Sequence, residues 1–373
     1  MKATLRTVRL TLAEPLRISR STTAARDAVW LTVGHEGLYG HGEAVSSVYY
    51  GLDTGTLERL LHACGRDLAR FPDPESALHE HCADARPAAG YATDEHPPAV
   101  RAAVESALLD LCGKRAGVPV HRLLGAAYAP SARTARTIGI VPAAHAAAQA
   151  RALADAGFAL LKVKAGAPDP EDDIERVRAV RSAAPGARIL LDPNGAWTPA
   201  QARPLMDRYA ELGVEAVEQP VAPGDPEALA RLAEDAPLPV IADEDAVGLD
   251  DVRRLAGRVQ GVNVKLAKCG GPRAALRIAG LLAGSGTDLM LGCLTASTLG
   301  LAPAVHLADR ARWADLDGHL LLADDPWTGI GGADGVVRAG ALPGLGVREK
   351  RDAHGVSDGS GAPAPRTGEA GGP

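Results

Sequence analysis

The run Leu160-Leu161-Lys162-Val163-Lys164 sets the fold. Its apolar residues fall on both sides, as in a strand covered on both faces. Lys162 and Lys164 lie two apart and project to one side, whereas Val163 faces the other. Short runs of the same kind recur: Thr137 to Ile140, Arg188 to Asp192, Glu215 to Glu218, Pro239 to Asp243, Gly261 to Lys265, Asp288 to Gly292 and Trp313 to Asp317. Helical patterns separate them, for example Asp173 to Ala183 and Pro199 to Leu212. A repeat of roughly 22–28 residues suits one strand plus one helix, and eight such units close a barrel. A doubly wound open sheet is the rival architecture, but it does not favour eight strands.

Outward from the barrel, the flanking segments follow other rules. Val8 to Leu12 and Ala28 to Val33 alternate like strands, Gly40-His41-Gly42-Glu43-Ala44 reads as a glycine-rich turn, and Ala99 to Ala116 reads as a helix. Strands first and helices after predict an α+β domain over about residues 1–130. The barrel follows over 131–319. Asp324 to Val347 carries Gly/Pro turns and short apolar runs, and is expected to pack back on the first domain. From Arg348 onward Ser, Gly, Pro and charge dominate without periodicity, so 348–373 reads as a disordered tail.

Composition excludes several classes of function. A net charge of -6 without a basic run argues against a nucleic-acid surface. No window approaches the roughly 18 uninterrupted apolar residues of a membrane span, and the first residues lack the apolar stretch of a secretion signal. The 5 cysteines, Cys64, Cys82, Cys112, Cys269 and Cys293, are scattered without metal-type spacing. They read as reduced thiols of a cytoplasmic protein.

Strand ends carry the chemistry. In a parallel barrel they form the active-site face, and here they hold Lys162 with Lys164, Asp192 with Asn194, Glu218, Asp243 with Glu244, and Lys265. Two lysines in a partly desolvated lumen are expected to have lowered pKa values, which makes a general base. Three converging carboxylates repel one another unless a hard cation joins them, and oxygen-only ligands fit Mg²⁺. The plain alternative for each carboxylate alone is a capping or turn role. Lys265, on the sixth strand, faces the Lys162/Lys164 pair across the lumen. A carboxylate substrate between them would expose its α-carbon to a base on each side.

These motifs resemble the enolase superfamily, muconate lactonizing enzyme subgroup: Lys162-x-Lys164, Asp192-x-Asn194, Glu218-Gln219-Pro220, Asp243-Glu244 and Asn263-Val264-Lys265-Leu266-Ala267-Lys268-Cys269-Gly270-Gly271. The resemblance spans the chain to about Val347. It implies an α/β fold, a modified TIM barrel (β/α)₇β with an N-terminal α+β capping domain. It further implies one Mg²⁺ per subunit on Asp192, Glu218 and Asp243, acid/base lysines at 164 and 265, and Lys162 as the electrostatic partner of Lys164. Asn194, Glu244 and Lys268 fall in supporting places.

Asp315-Leu316-Asp317 resembles the pair that holds the α-ammonium group in dipeptide epimerases, and a buried amine does want paired carboxylates. Arg20, Arg26 and Tyr50 fall in segments expected to close over the substrate, where either arginine could meet a second substrate carboxylate. Thr295 and Ala296 are expected at the seventh strand's mouth, with alanine where many relatives carry glutamate. The expected function is therefore epimerisation of a dipeptide, a small-molecule substrate, by an isomerase. The alternatives are an N-acylamino acid racemase, an o-succinylbenzoate synthase or a muconate-type cycloisomerase; a barrel kept only for binding would not retain the whole lysine and carboxylate set. A homo-oligomer is expected.

Overall fold

The computed structural model describes residues 1–83 and 96–350. Long alternating segments at the start form an antiparallel sheet of β1 (Lys2–Ile18), β2 (Ser21–His35) and β3 (Leu38–Val45). Helices α1 (Thr54–Leu68), α2 (Pro74–Ala83) and α3 (Pro98–Ala116) follow. Asp53 caps α1 by accepting from Thr56 N, and Gly117, left-handed at φ 68°, ends α3. α3 is buried almost all round from Pro98 to Gly113, so its small alanines and leucines must pack on every side. Its buried Asp110 accepts from His41 N on β3 and from Leu345 N near the chain's far end, at 2.9 and 2.8 Å.

The stretch Gly40 to Ala44, expected as a turn, lies inside β3. Its glycines are there for close approach rather than for bending. A Cβ at Gly40 would run into the backbone oxygen of Ala107, and one at Gly42 into that of Ala103. The strand therefore lies directly against α3.

After the short α4 (Val120–Leu123) and β4 (Ser131–Arg133), eight parallel strands follow in sequential order. They are β5 (Arg136–Ile138), β6 (Leu160–Lys164), β7 (Arg188–Asp192), β8 (Ala216–Glu218), β9 (Val240–Ala242), β10 (Gly261–Lys265), β11 (Asp288–Gly292) and β12 (Trp313–Asp315). Between them run α5 (Ala143–Asp155), α6 (Pro170–Ala183), α7 (Pro199–Glu211), α8 (Pro226–Glu234), α9 (Leu249–Leu255), α10 (Leu266–Cys269) with α11 (Pro272–Leu282), and α12 (Thr298–Val305). Thr134 bridges to Ala314, with Ala135 N donating to Ala314 O at 2.7 Å, which joins the last strand to the first. Among the described residues no α-helix follows β12, so the barrel is (β/α)₇β.

Inside, Ala135, Leu160, Leu190, Ala216, Ile241, Met290 and Trp313 form a separate apolar cluster that floors the barrel. Gly261 leaves room in that layer: a Cβ there would stand 2.8 Å from Trp313 and 2.9 Å from Ile241.

Past β12 the chain returns to the capping sheet, where Ala323 N donates to Thr11 O and Trp327 meets Trp30 edge-on at 5.4 Å. β13 (Trp327–Thr328) and β14 (Val336–Arg338) follow, and β14 pairs with β4. β15 (Arg348–Glu349) pairs antiparallel with β13, so regular structure passes residue 347, where a tail was expected to begin. Two residues are too few for a periodic signal. Residues 351–373 lie outside the described residues.

The close approach of β3 to α3 is testable. Gly42→Ala should cost about 1–3 kcal/mol of stability through overpacking. Gly280→Ala, exposed in α11 with open space around it, should gain about 0.5–1 kcal/mol. Urea unfolding of both variants measures the contrast, and equal effects would refute the packing argument.

Candidate active site

Strand period builds the site. Two residues above the apolar floor, each strand presents its next inward side chain: Lys162 above Leu160, Asp192 above Leu190, Glu218 above Ala216, Asp243 above Ile241, Asp315 above Trp313. Asn263 joins them above Gly261, and Gly292 above Met290 is bare because a Cβ there would strike the Asn263 amide. Lys164 and Lys265 rise one further step on β6 and β10. These two strands stand four apart among eight, so the lysines face each other across the lumen.

The charges are interleaved. Lys162 Nζ lies 2.7 Å from Asp315, 2.6 Å from Glu218 and 3.1 Å from Asp192. Lys164 Nζ donates to Asp192 at 2.5 Å, and Lys265 Nζ to Asp243 at 2.7 Å. Lys268 Nζ donates to the Asp243 carboxylate and carbonyl, each at 2.6 Å, and to Asn263 O. Asn263 Nδ2 donates to Glu218 at 2.8 Å. Asn194, held at φ 51°, donates its backbone N–H to Asp192 at 2.9 Å.

Burial and partners then fix the protonation tendencies. Burial works to raise the Asp192 carboxyl, but Lys164 and Lys162 outweigh it and hold it at about 2. Asp243 also lies well below the carboxylate range: Lys265 and Lys268 overcome its burial. Glu218 goes the other way, pushed up to about 7 by burial and then by Asp192. The expectation of a lowered pKa for the Lys162/Lys164 pair fails at Lys162, and Lys265 behaves as Lys162 does. Burial pulls Lys162 and Lys265 down, yet contact with Asp315 in one case and Asp243 in the other, reinforced by Glu218, raises both. Lysine-to-carboxylate attraction at close range exceeds the desolvation and like-charge terms read from spacing alone.

A cavity of about 550 Å³ opens above this layer. Arg20, Arg26, Tyr50, Lys162, Lys164, Asn194, Asp243, Glu244, Lys265, Thr295, Asp315 and Asp317 all line it. Asp192 and Glu218 lie beneath, fully buried. Arg20 pairs with Glu244 at 2.6 Å, donates to Asn194 O at 3.0 Å, and stacks over Tyr49. Asp317 accepts from Thr137 N at 2.7 Å and pairs with Arg136. Asp315 keeps one oxygen, Oδ1, without a hydrogen-bond partner. Ala296 is placed differently from expectation: it lines a separate small cavity beside Glu43. It sits just before Ser297, the N-cap of α12, and packs toward the capping domain.

Several residues escaped the sequence reading. Glu43 on β3 accepts from Ser297 N at 2.9 Å, from the Ser297 hydroxyl and from Trp30 Nε1 at 2.7 Å, which ties cap to barrel. Its only signal was its position between small residues. Gln219, at φ 37°, accepts from Asp243 N and donates to Asp245, linking the ends of β8 and β9. Asn263 had a usable signal, since it precedes Lys265 by two and must share its face.

Among the described residues no three acids, histidines or cysteines are gathered closely enough to enclose an ion; lysine ammonium groups stand between the carboxylates. The donor chemistry nevertheless fits a hard divalent cation. Asp192, Glu218 and Asp243 offer oxygen alone, and buried Glu218 Oε2 has the Lys162 ammonium 2.6 Å away but no hydrogen bond of regular geometry. The repulsion that lifts Glu218 is what such a cation relieves.

A closed parallel barrel with lysines facing across a carboxylate layer, covered by an antiparallel sheet domain, defines an enolase-type barrel protein. The chain belongs to the mandelate racemase/muconate lactonizing enzyme family: residues 1–125 match that family's N-terminal domain and 145–353 match the enolase C-terminal domain-like model. It is similar to a hydrophobic dipeptide epimerase of Roseobacter litoralis, 33% identical over 93% of this chain and 98% of the relative. An L-Ala-D/L-Glu epimerase of Bacteroides thetaiotaomicron is 31% identical over 93% of this chain and 88% of its own length. Among solved structures, the dipeptide epimerase from Methylococcus capsulatus, complexed with Mg and L-Arg-D-Lys, superposes with a TM-score of 0.83 at 32% identity, covering 93% and 99% of the two chains.

Lys162 is the cation common to three buried carboxylates. Lys162→Met should therefore destabilise the protein by about 3–5 kcal/mol, the cost of leaving buried charge unpaired. Urea unfolding in a metal-free buffer measures it, and a change below about 1 kcal/mol would contradict this account of the layer.

Proposed function

We propose that this chain is a magnesium-dependent dipeptide epimerase that inverts the α-carbon of the substrate's C-terminal residue. The observation that carries the reading is the facing pair Lys164 and Lys265 in one cavity with Asp315 and Asp317. One lysine, neutral, takes the α-proton, and the electron pair of that C–H bond moves into the carboxylate to give an enediolate. The other, as an ammonium, returns a proton to the opposite face. In the reverse direction the roles exchange.

Asp192, Glu218 and Asp243 would hold Mg²⁺. When bound, it supplies a Lewis acid for the substrate carboxylate and takes up carboxylate charge that otherwise favours protonated lysines. Lys268, buried against Asp243, and Asn263, against Glu218, position those two carboxylates. Asp315 lines the cavity with Oδ1 lacking a partner, which supports a role in accepting from the substrate's α-ammonium group. N-acylated substrates bring no such group, so the unpaired oxygen favours dipeptides over them. Tyr50 and the Arg20–Tyr49 stack cover the cavity from the cap and limit water. No described helix is long and apolar enough to cross a membrane, and Cys64, Cys112, Cys269 and Cys293 are free thiols; both fit action in the cytoplasm.

Two experiments test this. With dipeptides in D₂O and Mg²⁺, Lys164→Ala and Lys265→Ala should each lose epimerisation by about 10²–10⁴-fold, the usual worth of a positioned acid or base. Each variant should also exchange the α-proton of at most one epimer, because one face retains its base. Inversion at the wild-type rate by either variant would refute the two-base scheme. Separately, chelation should abolish turnover and Mg²⁺ restore it. Added Mg²⁺ should raise the thermal midpoint, by about 2.7 kcal/mol in stability at a hundredfold excess over Kd. Asp243→Asn should lose that rise.

A further inference from the structure

We propose that Arg136 is a positioning residue for the amino end of the substrate: acting through Asp317, whose charge it compensates, it sets how strongly the enzyme prefers an α-ammonium group over an uncharged one. The inference rests on the epimerase reading and adds a residue that does not itself line the cavity.

The two aspartates at the end of β12 are compensated differently. Asp315 Oδ2 accepts from Lys162 at 2.7 Å, and Oδ1 is buried without a partner. Lys162 divides its charge among Asp315, Glu218 and Asp192. Asp317 Oδ2 accepts from two donors on β5, the Arg136 guanidinium at 3.2 Å and Thr137 N at 2.7 Å. Arg136 uses Nη1 for Asp317, and its Nη2 donates to Leu320 O at 2.8 Å, in the turn Gly318–Leu321. Asp317 is its sole carboxylate partner among the described residues. The Asp317 charge is therefore met one to one, whereas Asp315 shares a cation with two others.

With Oδ2 committed to β5, Asp317 Oδ1 accepts from none of the described residues. Asp317 lines the cavity, and this oxygen, unlike Asp315 Oδ1, is accessible. An α-ammonium group would meet Asp317 there, with the guanidinium on the other oxygen of the same carboxylate. Two cations on one carboxylate repel each other, and in a partly desolvated place that repulsion is felt. The other groups near Asp317 do not offset it. Burial pushes the Cys293 thiol up and pulls the His319 imidazole down, so both are uncharged near neutral pH.

Arg136 stands outside the buried ionic layer, so it can change without unpairing that layer. When the guanidinium charge is removed, the Thr137 N–H stays on Asp317 and keeps its orientation. Loss of the cation then strengthens the hold on an α-ammonium group and does little for an uncharged one. A role confined to bracing the turn at Leu320 predicts otherwise: both kinds of substrate would lose alike.

The test uses the full chain with Mg²⁺ and reads kcat and KM by α-deuterium uptake. L-Ala-L-Leu, L-Ala-L-Glu and L-Ala-L-Lys are compared, and the best of them is set against its N-propionyl amino acid, which carries hydrogen in place of the α-ammonium group. Where the propionyl compound is not turned over, its inhibition constant against the dipeptide replaces KM. Arg136→Gln, which keeps a donor and loses the charge, should raise the preference for the dipeptide by about 10–100-fold, mainly through a lower KM, as expected for a unit charge at short range. Arg136→Lys should stay within about threefold of the wild-type preference, because the charge is kept although the fork is lost. Should the glutamine variant not fold, Arg136→Met carries the same expectation, and Asp317→Asn, which leaves the guanidinium unopposed, should lower the preference. A preference that is unchanged or reduced in a folded neutral variant, or unchanged in Asp317→Asn, overturns the inference while leaving the epimerase reading intact. Exchange with no dipeptide, but with the propionyl compounds, overturns the epimerase reading and this inference with it.

Discussion

The structure depends on one layer of ionised side chains seated on one layer of hydrocarbon. Leu160, Leu190, Ile241, Met290 and Trp313 exclude water from below, and two residues later the same strands deliver Lys162, Asp192, Asp243, the bare Gly292 and Asp315. Ions placed there lose hydration worth several kcal/mol each, so every one needs opposite charge within contact distance. Lys162 meets three carboxylates and Asp243 meets two lysines. The neutral members, Asn263 and Gly292, keep the spacing: the amide needs room where a side chain on β11 would otherwise stand. A one-residue slip of any strand would exchange its charged residue for an apolar one, so the network also fixes register.

That arrangement explains why so much of the barrel was legible. A strand buried on both faces reads as an apolar run, and a charged residue at its end has few roles other than the lumen. All eight runs therefore coincide with strands, and Lys164, Lys265, Asp315 and Asp317 meet in one cavity. Legibility ended where partners come from distant sequence. Nothing local to Lys265 tells that Asp243 and Glu218 lie close enough to raise its pKa rather than let burial lower it. Gly40 and Gly42 resemble a turn because glycine reports missing bulk, and a strand pressed on a helix needs that as much as a bend does. Ala296 was placed at the substrate by resemblance, standing where many relatives carry glutamate, yet the turn into α12 puts it in the small cavity beside Glu43.

The cap is held to the barrel by buried polar contacts as well as by packing. Glu43, raised by burial although Ser297 and Trp30 donate to it, sits where β3 meets the start of α12. A buried carboxyl with three donors is specific in position, since moving either domain leaves donors unmet. The same junction places β2, which carries Arg26, over the mouth between β11 and β12. The ionic layer and the residues that cover it thereby occupy different elements: the lysines and carboxylates stand on barrel strands, whereas Arg20, Arg26 and Tyr50 come from the cap.

This division has an energetic basis. A change in the ionic layer breaks several pairs at once, because each member serves two or three others, so substrate preference cannot be adjusted there without losing the network. The two cap arginines are less interlinked: Arg20 has one ion pair and Arg26 has none among the described residues. Arg20 spends its charge on Glu244 and its face on Tyr49, and is thereby committed to holding the loop over the cavity. Among the described residues Arg26 has the Ser46 carbonyl alone to hold it. A guanidinium desolvated by the protein without an anion beside it lowers stability, so this position is shaped by burial rather than by pairing.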